Sequence, residues 1–169
     1  MKKIIYSPGE PSGIGPDLII KLSSSNLWED LKIPIVSIGD PKLFIDRAAV
    51  LKKKIQIVEL ESPNEVSKNT RGLLQIIKVT KCSNTRPGKL YKSNAQYVLN
   101  NLTYSIEQTM QNEETALVTG PLSKENIISI DKLFIGHTEY IKKITKSKDV
   151  LMMLASDQLR VALATTHIP

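Results

Sequence analysis

Lys3-Ile4-Ile5-Tyr6-Ser7-Pro8-Gly9-Glu10-Pro11-Ser12-Gly13-Ile14-Gly15-Pro16-Asp17 is the stretch whose reading decides the fold. Lys3 to Ser7 reads as a short apolar strand. It runs directly into a loop in which three glycines and three prolines fall within ten residues, a composition that gives a connection of fixed shape. Pro16 suits the first helical turn, where its missing N–H costs nothing, and Asp17 suits the positive end of the helix. Leu18, Ile19, Ile20 and Leu22 carry that helix onward. The loop has the strand-to-glycines-to-helix setting of a phosphate cradle but neither standard pattern. A P-loop ends Gly-Lys-Ser/Thr where this one ends Gly15-Pro16-Asp17, and the glycines at 9, 13 and 15 do not follow G-x-G-x-x-G. A purely structural connection and an anion-facing loop therefore stand as equal alternatives.

Working outward, Ile33 to Ile38 reads as a strand and Gly39-Asp40-Pro41 as a turn and helix entry. Lys42 to Lys53 follows as a helix with Leu43, Phe44, Ala48 and Leu51 on its apolar side, then Ile55 to Val58 as a strand. Glu61 to Gly72 is a polar loop, Leu73 to Val79 a further strand, and Lys81 to Lys89 another connection. The clearest helix is Ser93 to Gln111, where Ala95, Val98, Leu99, Leu102, Ile106 and Met110 recur at helical steps and Ser93 with Gln96 predicts a capping box. Ala116 to Thr119 reads as a buried strand, turned by Gly120-Pro121 into a helix beginning near Ser123. Val150 to Ala155 and Leu159 to Ala164, joined by Ser156-Asp157-Gln158, read as an antiparallel hairpin. Alternating strands and helices predict an α/β fold: a mainly parallel sheet with flanking helices, with Ile4, Ile35, Ile57, Val118 and Leu163 buried.

A chain of 169 residues with 41% hydrophobic content has enough apolar material for one sizeable core, and no linker marks a second complete domain. No apolar run approaches the ~20 residues that span a bilayer, and the apolar stretch before Pro8 is too short for a signal peptide, so a cytoplasmic protein without a membrane partner is expected. The net charge of +6 raises nucleic acid as a partner, but the lysines at 52–54 and at 142, 143, 146 and 148 lie apart without interleaved aromatics, which argues for solvated faces. The single cysteine, Cys82, excludes an internal disulfide and a multi-cysteine metal site.

The two histidines of the chain both fall at element ends, where α/β proteins gather ligand chemistry. His137 follows Gly136 at a helix start, with Thr138 and Glu139 placed to complement first-turn amides. His167 closes the last apolar run. Lys124 stands just after a strand end, a cation beside amides where an anion could sit.

Four motifs occur in order: Gly9 to Asp17, Thr119-Gly120-Pro121 followed by Lys124, Gly136-His137-Thr138-Glu139, and Leu151-Met152-Met153-Leu154 leading to Leu159 through His167. Together they make the chain resemble the amino-terminal half of the 4-hydroxythreonine-4-phosphate dehydrogenase family of pyridoxal phosphate synthesis. The resemblance implies a fold like that of isocitrate and isopropylmalate dehydrogenases, truncated here, and a homodimer with its site at the subunit interface. It also implies NAD or NADP as oxidant and a divalent metal such as Zn, Mg or Co. In the family the alcohol of a phosphorylated substrate is oxidised to a ketone that then loses carbon dioxide. Position by position, His137 and Thr138 match substrate contacts, His167 matches a metal-binding histidine, and Lys124 matches a lysine near the site. No catalytic or cofactor-binding residue is assigned within this half, and both cofactor and metal are expected to need the other half. Alternatives are a relative acting on threonate or erythronate 4-phosphate, and a non-catalytic truncated remnant.

Overall fold

The computed structural model describes residues 2–163 of the chain. In order, the elements are β1 (Lys3–Ser7), α1 (Gly15–Ser23), α2 (Leu27–Asp30), β2 (Ile35–Ile38), α3 (Pro41–Val50), β3 (Gln56–Glu59), β4 (Leu73–Ile77), α4 (Ala95–Met110), β5 (Thr115–Thr119), α5 (Lys124–Ile128), α6 (His137–Thr145), β6 (Met152–Ala155) and β7 (Arg160–Leu163). Strands β1 to β5 form one parallel sheet in the order β3-β4-β2-β1-β5, as the strand-helix alternation predicts. Because strand side chains alternate, the register that sets Ile4 against Ile35 and Tyr6 against Ser37 gives the sheet two distinct apolar faces. Tyr6, Ile35, Leu74 and Ile76 pack with Ile19, Ile20, Trp28 and Phe44 of the first three helices. Ile5, Val36, Ile38 and Ile77 form a core with Val66 on the opposite face, where Tyr104 of α4 packs against them.

Local chemistry explains the helix starts. Asp40 caps α3 by accepting from the Lys42 amide at 3.1 Å, with Pro41 in the first turn. Ser123 caps α5 through its Oγ, which accepts from the Asn126 amide at 3.3 Å. The expected capping box at Ser93 is not formed. A 3-10 turn at Lys92–Asn94 precedes α4, Gln96 donates to Asn100 instead, and Asn94 is buried, accepting from the Ser83 amide.

The burial expected of β5 is not found. Among the described residues its one strand neighbour is β1, which leaves it at the sheet edge, and Val118 is 45% exposed. Val118 borders an apolar groove of about 170 Å³ with Ile4, Tyr6, Leu18 and Ile35. Ile35 is buried as expected, whereas Ile4 is half-buried beside that groove and Ile57 is half-buried on β3, the opposite edge. The hairpin is present, with Met152 opposite Leu163 and Ala155 opposite Arg160, but it forms a separate two-stranded sheet. Leu163 is accordingly only half-buried, and Leu154 and Leu159 are exposed.

Candidate functional site

The chain leaves β1 toward β2 on one side and later returns to place β5 on the other, so the carboxyl ends of β1 and β5 flank the point where strand order reverses. In open parallel sheets this is where ligands bind. Here the loops from the two strands fill it with one another. An added Cβ on Gly120 would lie 2.3 Å from the Pro8 carbonyl oxygen, and one on Gly9 would lie 2.2 Å from that of Pro121. The Glu10 amide donates to the Pro121 carbonyl at 3.0 Å, and the Gly120 amide to that of Ser7 at 2.7 Å. Arg47, buried on α3, donates to the carbonyls of Pro11 at 2.7 Å and Gly13 at 3.1 Å. Tyr6 donates its hydroxyl to the Gly15 carbonyl at 3.0 Å. With Gly9 and Gly15 in close backbone contact and the Glu10, Ser12 and Gly13 amides donating within the two loops, the glycine-proline loop is braced as a structural connection. Of the two readings open at the sequence level, these spent donors favour the structural one over the anion-facing one.

The groups still available to a ligand lie one step further along, where α5 and α6 begin. Phe134 is buried with Leu43, Tyr97, Val98, Leu99 and Ile127, and its ring centroid lies 5.5 Å from that of Tyr140. Tyr140 and Thr103 share a hydrogen bond of 2.7 Å, which fastens α6 to α4. These contacts aim the start of α6 at the start of α5. Gly136, the residue before α6, is extended and offers no side-chain cap, while Glu139 stands as an acidic residue in the first turn, where its charge complements the amides as expected. A Cβ on Gly136 would sit 3.8 Å from both Cε and Nζ of Lys124 and 3.2 Å from Oε2 of Glu139. Lys124 forms no ion pair among the described residues. Burial, and secondarily the Lys124 charge, lower the His137 pKa below its ordinary value and hold the imidazole neutral at pH 7. An exposed ammonium, a helix amino-terminus and a neutral imidazole thus meet, a combination suited to an anion with hydrogen-bonding groups next to it.

Cys82 lies apart from this cluster, beside a polar cavity of about 430 Å³ bordered by Asp40, Lys42, Lys81 and Asn84. Burial, reinforced by Asp40 and Glu10, pushes its thiol up to about 12.

A family model described as "Pyridoxal phosphate biosynthetic protein PdxA" matches residues 30–169. The chain belongs to the PdxA family. Among similar PdxA-family proteins, a 4-hydroxythreonine-4-phosphate dehydrogenase of Citrobacter koseri is 38% identical over 100% of this chain and 50% of its own length. One of Erwinia tasmaniensis is 35% identical over 99% of this chain and 50% of its own. The crystal structure of the enzyme of that name from Klebsiella pneumoniae superposes with a TM-score of 0.87 at 25% identity, covering 99% of this chain and 51% of that one. The Burkholderia phymatum structure, at 24% identity and a TM-score of 0.87, shares the fold, covering 100% of this chain and 51% of that one. The chain spans about half the length of the curated relatives it matches.

In this PdxA-family chain, tertiary packing sets Lys124 beside the start of α6, of which His137 and Thr138 are the first two residues. His167, expected as a metal ligand, lies outside the described residues. Among the described residues no group of three or more His, Cys, Asp and Glu is assembled that could hold a metal, so they do not by themselves supply a metal-ligand set. No described helix is long and apolar enough to cross a membrane. Sequence reasoning missed three buried polar residues, Glu10, Arg47 and Asn126. Arg47 left a signal, since it falls among Leu43, Phe44, Ala48 and Leu51 on the apolar face of its helix, where a charge needs buried partners.

Proposed function

We propose that this chain carries part of the substrate site of a 4-hydroxythreonine-4-phosphate dehydrogenase acting in pyridoxal phosphate biosynthesis. The observation that supports the reading is the meeting of Lys124 and His137 at the uncapped start of α6 in a PdxA-family chain. Lys124 attracts an anionic group of the phosphorylated substrate. The first-turn amides of α6 supply donors directed along the helix axis. Neutral His137 and the Thr138 hydroxyl hydrogen-bond the polar groups beside that anion and fix its orientation. NAD or NADP as oxidant, a divalent metal with His167 among its ligands, a homodimer and a cytoplasmic location belong to the same proposal. They are drawn from the family resemblance, and no step is assigned through cofactor or metal on the described residues.

The test is calorimetric titration of the chain with 4-phosphohydroxy-L-threonine. Saturable binding is expected, weakened about tenfold by Lys124→Met, the effect of one charge-assisted contact worth ~1.4 kcal/mol. His137→Ala should weaken it similarly. Co-expression with the carboxy-terminal half of a family member should then restore substrate-dependent NAD(P) reduction. Binding unaffected by both substitutions would overturn the assignment.

A further inference from the structure

Glu10 is buried, yet among the described residues it has no cationic partner. Its two carboxyl oxygens instead collect neutral donors from distant parts of the chain. Oε1 accepts from the Ser12 amide at 3.1 Å, inside the loop after β1, and Oε2 accepts from Nδ2 of Asn126 at 3.2 Å, across 116 residues of sequence. Asn126 is itself buried and also donates to the Tyr91 carbonyl at 3.4 Å. It sits on α5, a helix of five residues, far too short to hold its own direction in water. The direction of α5 is therefore set by what it touches: Ile127 in the apolar cluster, the Ser123 cap, and the Asn126 side chain held by Glu10 and Tyr91. Lys124 is the first residue of that helix.

We propose that Glu10 is a positioning residue: by tying the loop after β1 to Asn126, its carboxyl fixes α5 and thereby sets where Lys124 stands beside His137 and Gly136. The proposal rests on the Lys124–His137 site described above and names the residue that aligns it. Without this link α5 is free to turn about Ile127, and Lys124 moves away from the imidazole. Fold stability and site alignment are separable here, because the position of the Lys124 charge is reported by the protonation of His137.

The experiment is an NMR pH titration of His137 in the full chain, its imidazole signal distinguished from that of His167 by a His167→Gln variant. Lys124→Met should raise the His137 midpoint, since a nearby cation is removed. Glu10→Gln keeps one acceptor oxygen but turns an amide donor toward the other partner, and it is expected to raise the midpoint in the same direction. It should add little when combined with Lys124→Met. The sign is decisive, because deleting a carboxylate near an imidazole by itself lowers the midpoint. Asn126→Ala breaks the same link while leaving every charge in place, and is expected to give the same rise even if Glu10→Gln is recovered unfolded. Glu139, which flanks Gly136, and the ion pair at 3.5 Å between Lys143 of α6 and Asp131, which precedes that helix, are common to all variants. A midpoint unchanged or lowered in Glu10→Gln, together with an unchanged one in Asn126→Ala, would overturn the proposal, whatever the loss in Tm. Failure of the wild-type chain to bind 4-phosphohydroxy-L-threonine would instead overturn the substrate-site reading and leave the Glu10 link standing. A Lys124→Met variant with an unmoved midpoint would overturn both.

Discussion

Arg47 donates to Oδ1 of Asp17 at 2.7 Å, a contact that joins α3 to the first turn of α1 while the same guanidinium holds the carbonyls of Pro11 and Gly13. The planar fork of an arginine can serve several acceptors at once, which a lysine ammonium on a flexible stem does not reproduce. Arg47→Met should therefore cost about 3 kcal/mol, because it strands buried carbonyls and a partly buried carboxylate. Arg47→Lys should cost about 2 kcal/mol by the same reasoning. Urea unfolding measures both, and a loss below about 0.5 kcal/mol for Arg47→Met, the range of ordinary surface substitutions, would show the fork to be dispensable.

Gly9 and Gly15 of the loop after β1 are required by space. A Cβ on Gly15 would lie 1.8 Å from the Pro8 carbonyl oxygen, and its nearest neighbours are all Pro8 backbone, with no flexible chain end to yield. Gly88 has a positive φ of 77° but nothing within 4 Å of the corresponding point. Gly15→Ala should cost about 3 kcal/mol or more, through backbone displacement. Gly88→Ala should cost about 1 kcal/mol, through conformation alone. Equal losses in thermal unfolding would mean that the close approach at Gly15 relaxes freely.

Much of the fold was legible because it depends on local chemistry. The strand before Pro8, the helix entry at Asp40-Pro41, the helix start near Ser123, the helix start at His137 and the turn at residues 156–158 each rest on residues adjacent in sequence. Lys124 and His137 were each placed at an element end, and only tertiary packing through Phe134 and Tyr140 brings them side by side. What was not legible depends on partners far away. Val118 has the apolar character of a buried strand residue, and its exposure follows from β5 standing at the sheet edge among the described residues, which no local pattern records. Ser93 and Gln96 have capping-box spacing, yet Asn94 is drawn into contacts with residues 82–84 and the chain enters α4 through a 3-10 turn instead. The Glu10–Asn126 contact spans most of the chain and leaves no spacing to read.

Cys82 should be chemically quiet in the native protein. Its amide donates to Asp40 at 2.9 Å and its thiol to Asn94 at 3.5 Å, while burial and two nearby carboxylates disfavour the thiolate. With the thiol at about 12, alkylation at pH 8 should run on the order of a thousandfold slower than for a free cysteine. Iodoacetamide labelling followed by mass spectrometry, before and after denaturation in urea, gives the ratio. Native labelling as fast as denatured labelling would show that the thiol is accessible and ionised.

The neutral state of His137 has a consequence for stability. Its pKa in the folded chain is lowered from the ordinary 6.5, first by burial and then by the Lys124 charge. Above pH 6.5 both the folded and the unfolded chain carry a neutral imidazole, and its contribution to folding is fully present. As the pH falls through 6.5 toward the lower folded value, the unfolded chain takes up a proton that the folded chain resists. Stability is then lost, because over that interval the unfolded state binds more protons. Thermal unfolding at intervals from pH 7.5 to 5.5 should show a steeper decline for the wild type than for His137→Gln, which has no proton to take up at that position. His167 is common to both proteins and cancels in the comparison. Lys124→Met should lie between them, since it removes the smaller of the two causes and leaves burial in place. Parallel curves for wild type and His137→Gln would mean that the imidazole protonates equally well in the folded chain, contrary to its enclosure beside Lys124.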